Sequence, residues 1–216
     1  MQEDIKTAII EVSKLMYAKG MVNAYEGNVS VRENEKIYIT PSSVCKDFLT
    51  EDMIVTTDMS GAVIEGNKKP SSEINLHLAL YKLRPDVTSV VHAHPPFLTA
   101  YSLAKTPVIS KAYPEMMIVF DQIPIVDYGT PSTDRIHAGL SKYIHNVDVV
   151  MLEKHGVVAA GNSAYDAFFK AEAAEAIAKT LTITRFLGGE DELPQEELDV
   201  LYAARLKAFG REKLVY

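Results

Sequence analysis

The sequence predicts a single α/β domain whose strands sit mostly in hairpins, with helices on the outside. Three observations predict it. Stretches with apolar residues every three or four positions alternate with short β-branched runs. Turn residues separate those runs closely enough for hairpins. No internal repeat, low-complexity segment or linker divides the 216 residues, a length sufficient to bury a large core.

Each element has its own justification. Residues 4–19 carry Ile5, Ala8, Ile9, Val12, Leu15 and Met16 at helical spacing, and Gly20 fits the stop. GNVSVR (27–32) and KIYIT (36–40) read as a hairpin or two adjacent strands, and TPSS (40–43) as a turn. MIVTTD (53–58) and AVIEG (62–66) flank Ser60–Gly61 as another hairpin. KKPSSEINLHLALYKLRPD reads as a helix capped by a serine, with Glu73 in its first turn and Pro85 closing it. Ile74, Leu76, Leu78, Ala79 and Leu83 supply its apolar surface. A strand over 87–94 ends at Pro95, a short helix covers 96–104, and short strands follow near 107–111 and 123–126. STDRIHAGLSKYI (132–144) reads as a helix begun by a Ser/Thr cap. DVVMLEKHG and VVAAG form a strand pair around a turn at 154–156. A long alanine-rich helix runs from Ser163 to Gly188–Gly189, and a last helix covers 194–209.

Composition narrows the function. Apolar residues make up 47% and charged residues 24%, as in ordinary soluble domains. A net charge of −7 argues against nucleic acid or an anionic membrane as the main partner, so an anionic substrate needs a local pocket. One cysteine, Cys45, permits no intramolecular disulfide and no Cys-rich metal site, which suits a reducing compartment. The N-terminal stretch is amphipathic rather than signal-like, and no apolar run approaches the roughly 18–20 residues of a membrane span. A cytoplasmic protein is expected.

SVVHAHPPF (89–97) places His92 and His94 two apart on an apolar run, so on a strand both rings project to one side and can meet one ion. Alone, His-x-His discriminates little, because structural histidines outnumber ligands in such pairs. Glu73 opens the helix leading into that strand, although complementing the helix dipole explains it equally well. His155, in EKHG, lies at a strand-to-turn junction where Gly156 permits close backbone approach, and taken singly it reads either way. Together, three imidazoles and a carboxylate without thiolates suit a catalytic zinc site better than a structural one. Gly27–Asn28, Ser42–Ser43 and Ser71–Ser72 offer short side chains and turn N–H groups for a phosphate, though each pair alone reads as a turn or a cap. Lys68 and Lys69 read as a solvated pair.

In this order and spacing, GNVSVR, ITPSS, KPSSEINLH, VVHAHPP and EKHG resemble the class II aldolase/adducin head family, most closely its L-fuculose-1-phosphate aldolases. The resemblance runs from the first helix to Gly210. It implies one domain over 1–216, a three-layer α/β/α arrangement around a central, largely antiparallel sheet, and a homotetramer with active sites near subunit interfaces. It implies zinc, one per subunit, on His92, His94 and His155. Glu73 would be a fourth ligand that substrate displaces and that then serves as acid/base. The phosphate would lie among Gly27, Asn28, Ser42, Ser43, Ser71 and Ser72. Tyr113 falls where such enzymes supply a proton donor from a neighbouring subunit, with an aromatic packing role equally open. The reaction implied is cleavage of a ketose 1-phosphate to dihydroxyacetone phosphate and an aldehyde.

Two positions depart from the family's pattern. Ser43 stands where the turn usually carries glycine, and Phe209–Gly210 stands where the fuculose-phosphate enzymes have tyrosine before the glycine. Related 4-epimerases typically carry aspartate after Pro-Ser-Ser, so Glu73 favours an aldolase. A 4-epimerase, a dehydratase, a decarboxylase and a non-catalytic adducin-like assembly module are the alternatives.

Overall fold

The computed structural model describes residues 4–130, 133, 135, 139–211 and 213. Helix α1 (Ile5–Ala18) starts at Asp4, whose carboxylate accepts the Thr7 N–H, and Gly20 follows it at φ +67°. Strands β1 (Asn28–Glu33) and β2 (Lys36–Ile39) form the first hairpin, β3 (Val55–Asp58) and β4 (Val63–Glu65) the second. Then come α2 (Ile74–Leu83), β5 (Ser89–Ala93), α3 (Pro96–Leu103), β6 (Val108–Ile109), β7 (Gln122–Ile123) and β8 (Ile125–Val126). The chain continues through β9 (Val149–Leu152), β10 (Val157–Gly161), α4 (Ala164–Phe186) and α5 (Gln195–Phe209).

Eight strands join in the order β4-β3-β2-β1-β5-β10-β9-β8, antiparallel throughout except for the parallel pair β8–β9. The sheet is therefore mostly antiparallel. Its central strands are buried along their whole length and their alternate residues enter two separate apolar clusters. Val91, Ala93, Val149, Met151, Val157 and Ala159 pack with α1, Leu98 of α3 and the alanines of α4. Val90, Val150, Leu152, Val158 and Ala160 pack instead with Leu76, Leu80 and Tyr81 of α2. Each fully buried aliphatic side chain contributes about 1.5–3 kcal/mol.

Three expectations need correction. The strand expected at 123–126 is two strands, because Pro124 has no N–H to donate and breaks the ladder. Strand β7 pairs with β6 in a separate two-stranded sheet, while β8 joins the main one. The helix expected over 132–144 lies partly outside the described residues, and its described end, Leu140–Lys142, is a single 3-10 turn. Helix α2 begins at Ile74 with Glu73 in the capping position, not a serine. Among the described residues, no helix is long and apolar enough to cross a membrane.

One ion cluster ties β9 to the helices. Asp148 accepts from Arg211 Nη2 at 2.7 Å, Lys170 Nζ at 3.0 Å and Arg84 Nη1 at 3.1 Å. Burial acts to raise its pKa, but the Arg211 hydrogen bond and the Lys170 charge outweigh that and pull it down to about 2. A depressed carboxylate stabilises the fold above its unfolded pKa of about 3.9 and loses that contribution as pH falls through its folded value. Asp148→Asn is therefore expected to cost on the order of 2 kcal/mol at neutral pH, the gap from wild type closing between pH 4 and 2 in acid-titrated urea melts. A gap that stays constant across that range would assign the loss to packing instead.

Candidate metal centre

The middle of the sheet positions the first two ligand candidates. Strand β5 runs between β1 and β10, with Asn28 on one side of His92 and Val158 on the other. His92 follows Val90 on the sheet face that packs against α2, the helix entered through Glu73. His94 leaves the strand as Pro95 and Pro96 turn the chain into α3, and its N–H donates to the Met21 carbonyl at 3.0 Å. His155 arrives on the β9–β10 turn, closed by Leu152 N–H to Gly156 O at 2.8 Å and His155 N–H to Leu152 O at 3.0 Å. Gly156 lets that turn lie against His94. A Cβ there would stand 2.4 Å from Ala93 O and 2.5 Å from His94 Cδ2.

The three rings meet. Their centroids are 4.7–4.8 Å apart, and one nitrogen from each lies within 4.8 Å of the others. Glu73 closes the group, with Oε2 3.2 Å from His92 Nε2 and Oε1 3.3 Å from His155 Nε2. Oε1 is buried with no hydrogen-bond partner. His92 is fully buried, and its Nδ1 faces the Val157 carbonyl at 2.9 Å. That contact requires a proton on Nδ1, so the ring presents Nε2 to the centre, as an orienting partner does for a metal-bound histidine. His94 has Glu26 Oε1 3.4 Å from Nδ1 and turns Nε2 inward, 3.0 Å from His92 Nε2. An orphaned buried carboxylate oxygen and three convergent imidazoles, two of them held from behind, fit a divalent cation with mixed N and O ligands.

The protonation pattern agrees. Burial acts to raise the Glu73 pKa, but the His92 charge and hydrogen bond hold it well below the usual carboxylate range. Burial, then the nearby His92 charge, pushes His94 and His155 down to about 4. Burial also works against charge on His92, yet Glu73 raises it. Two neutral imidazoles and an ionised carboxylate are the forms a metal binds.

Gly156→Ala is accordingly expected to displace His94. Overpacking of this kind costs about 1–3 kcal/mol, and metal affinity falls on the order of 10–100-fold, as when an orienting contact is lost. Thermal melts and chelator competition check both; wild-type metal retention would show that His94 need not stand where it does.

The residues expected around a phosphate gather near Thr40. Val29 N–H donates to Thr40 Oγ1, Thr40 N–H to Val29 O, and Ser71 N–H to Thr40 O. Ser42 N–H donates to Lys69 O, and Pro41 pairs with Pro70. Gly27–Asn28, Ser42–Ser43 and Ser71–Ser72 thus come from three chain segments linked by hydrogen bonds. Gly27 adopts φ +74°, and a Cβ on it would lie 2.4 Å from Val22 Cγ1. Ser43 holds φ +59°, the left-handed conformation that glycine adopts without strain. Ser71 is buried and its Oγ accepts the Glu73 N–H at 3.3 Å. Ser43, Ser72, Lys68 and Lys69 are exposed. The Asn28 side chain is already engaged, donating from Nδ2 to Glu73 Oε2 at 2.9 Å. Tyr113 is half-buried against the larger apolar cluster of its own chain, and Phe209 ends α5.

His77 and Glu26 were not expected. His77 is fully buried, its Nε2 2.5 Å from Asn28 Oδ1, and burial pushes its pKa down to about 3. Its spacing four residues after Glu73 on a helix was a readable signal, since such positions share a face. Glu26 carried none, because its position beside His94 depends on a loop that meets β5 only in three dimensions.

Residues 7–182 match the family described as Class II Aldolase and Adducin N-terminal domain. An L-fuculose phosphate aldolase of Methanocaldococcus jannaschii is 37% identical over 182 residues, covering 84% of this chain and 97% of that protein. A 5-deoxy-D-ribulose 1-phosphate aldolase of Bacillus thuringiensis is 30% identical over 210 residues, covering 94% and 96%. A solved structure of an L-fuculose 1-phosphate aldolase superposes with a TM-score of 0.86 at 26% identity, covering 97% of this chain and 98% of that one. Sequence, fold and relatives agree: the chain belongs to the class II aldolase and adducin N-terminal domain family.

Proposed function

We propose that the protein is a zinc-dependent aldolase that cleaves a ketose 1-phosphate to dihydroxyacetone phosphate and an aldehyde. L-Fuculose 1-phosphate is the first substrate to test and a 5-deoxypentulose 1-phosphate the second. The observation that carries this reading is the convergence of His92, His94 and His155 on Glu73, with Glu73 Oε1 buried and lacking a hydrogen bond. Zinc, one per subunit and held by His92, His94, His155 and Glu73, would supply a Lewis acid that polarises the ketose carbonyl and stabilises the charge left by C–C cleavage.

The chain's own residues do the rest. His92 keeps Nε2 directed inward because Nδ1 is committed to Val157 O. Glu73, once substrate takes its place, moves a proton at C3 and at the nascent carbonyl. Gly27, Asn28, Ser42, Ser43, Ser71 and Ser72 hold the phosphate, supplying binding energy away from the bond that breaks. Tyr113 serves as proton donor at a neighbouring subunit's site. The same reading takes the chain as one three-layer α/β/α domain, with an apolar cluster on each sheet face, assembled as a cytoplasmic homotetramer.

The test is a screen of short aldehydes with dihydroxyacetone phosphate, run with and without chelator. Condensation that chelator abolishes and zinc restores is expected. Condensation indifferent to chelator, or none with any aldehyde, would end the proposal.

A further inference from the structure

We infer that His77 is a positioning residue for Glu73, acting through the Asn28 amide, which it holds with the NH2 group toward the carboxylate.

A line of buried hydrogen bonds leads from the sheet to the candidate centre. Tyr81 Oη is 2.7 Å from Ser30 Oγ, Ser30 Oγ is 2.6 Å from His77 Nδ1, His77 Nε2 is 2.5 Å from Asn28 Oδ1, and Asn28 Nδ2 is 2.9 Å from Glu73 Oε2. Ser30, His77 and Tyr81 are at most 1% exposed and Asn28 is 4% exposed, so these groups meet one another away from bulk solvent.

Donor and acceptor capacities fix every direction along this line. An ionised Glu73 only accepts, so Asn28 must face it with Nδ2. Asn28 Oδ1 then faces His77 and only accepts, which demands a proton on His77 Nε2. A neutral ring carrying that proton must accept at Nδ1, and the Ser30 hydroxyl supplies the hydrogen. Ser30 in turn accepts from the Tyr81 hydroxyl. Strip out His77 and the amide has no reason to keep its oxygen away from Glu73. Turned over, it would set a carbonyl oxygen against a carboxylate oxygen.

An amide does not relay protons, so the line orients Glu73 and does not wire it to the interior. A merely packed core histidine would find partners on backbone groups. His77 instead spends Nε2 on a side chain whose other end holds the proposed acid/base. The inference rests on the reading of Glu73 as ligand and acid/base, and its test separates the two.

His77→Leu and His77→Gln are compared with Glu73→Gln in the full chain. The readouts are zinc affinity by chelator competition, and kcat and KM for condensation of dihydroxyacetone phosphate with acetaldehyde. His77→Leu is expected to weaken zinc about 10–100-fold and to lower kcat by a similar factor, with KM for dihydroxyacetone phosphate unchanged. His77→Gln, whose amide can donate to Asn28 Oδ1, is expected to recover most of both. A folded His77→Leu with wild-type zinc affinity and kcat overturns the inference, as does a His77→Gln no better than His77→Leu. Should His77→Leu fail to fold, the ring nitrogens decide. The 15N spectrum of wild-type His77 must report the proton on Nε2, with Ser30→Ala shifting the population toward Nδ1; a wild-type proton on Nδ1 overturns it outright. If Glu73→Gln keeps full turnover, the reading beneath it falls, whatever His77 does.

Discussion

Glu73→Gln is expected to lower kcat by roughly 10²–10⁴-fold while leaving the binding of dihydroxyacetone phosphate intact, the range usual for loss of a positioned acid/base. Glutamine has nearly the same shape, so packing at the entry to α2 should survive. What it loses is charge and proton exchange. Oε2 now accepts from Asn28 Nδ2 at 2.9 Å and lies 3.2 Å from His92 Nε2. The amide oxygen can keep the Asn28 donor, but the NH2 then stands where Oε1 lies, 3.3 Å from His155 Nε2, and offers a metal no lone pair. Some weakening of the metal therefore accompanies the loss of rate. Glu73→Asp separates the two effects, since it keeps the acid and withdraws it by one methylene. An unchanged kcat in Glu73→Gln would remove this carboxylate from the chemistry.

Local signals carried much of the fold into the sequence. The period of α1, the two hairpins and the Ser163 cap of α4, which accepts the Asp166 N–H, all follow from residues near one another in the chain. What was not legible is non-local. Nothing near residue 89 or 157 announces that β5 and β10 are neighbours at the middle of the sheet. The π-helical turn Met116–Phe120 carries no periodicity of its own, and the buried Arg205 of α5 donates to its Ile118 and Val119 carbonyls, 87 and 86 positions away. The candidate site divides in the same way. His92 and His94 were readable as a pair from their spacing, with His94 just past the end of β5, but only the sheet order brings His155 to them. Asn28 was read only as a phosphate residue, and nothing local announced that its cross-strand place beside His92 also turns its side-chain amide to Glu73. Ser43 holds the left-handed conformation that glycine adopts without strain and exposes its hydroxyl, so this turn forms without a glycine.

His92→Ala is expected to abolish zinc retention, and turnover with it, while His155→Ala does the same at less cost to the fold. The contrast comes from burial. His92 is fully enclosed on β5, so its removal leaves a cavity in the sheet and strips Glu73 of the charge that most strongly favours its ionised form. His155 sits on a turn with 11% of its side chain exposed against 0% for His92, so its truncation takes less from the sheet interior. Elemental analysis of the wild type should give one zinc per chain, and of each variant close to none. Stability offers a second reading that needs no substrate. Zinc at a hundred times its dissociation constant should stabilise the wild type by about 2.7 kcal/mol, because it binds the folded chain and not the unfolded one. Neither variant should gain comparably, since two imidazoles and a carboxylate lack the donors of a closed set. If His92→Ala still melted at a zinc-raised temperature, the ion would be bound somewhere other than among these rings, and the meeting of His92, His94 and His155 would have to be explained by packing alone.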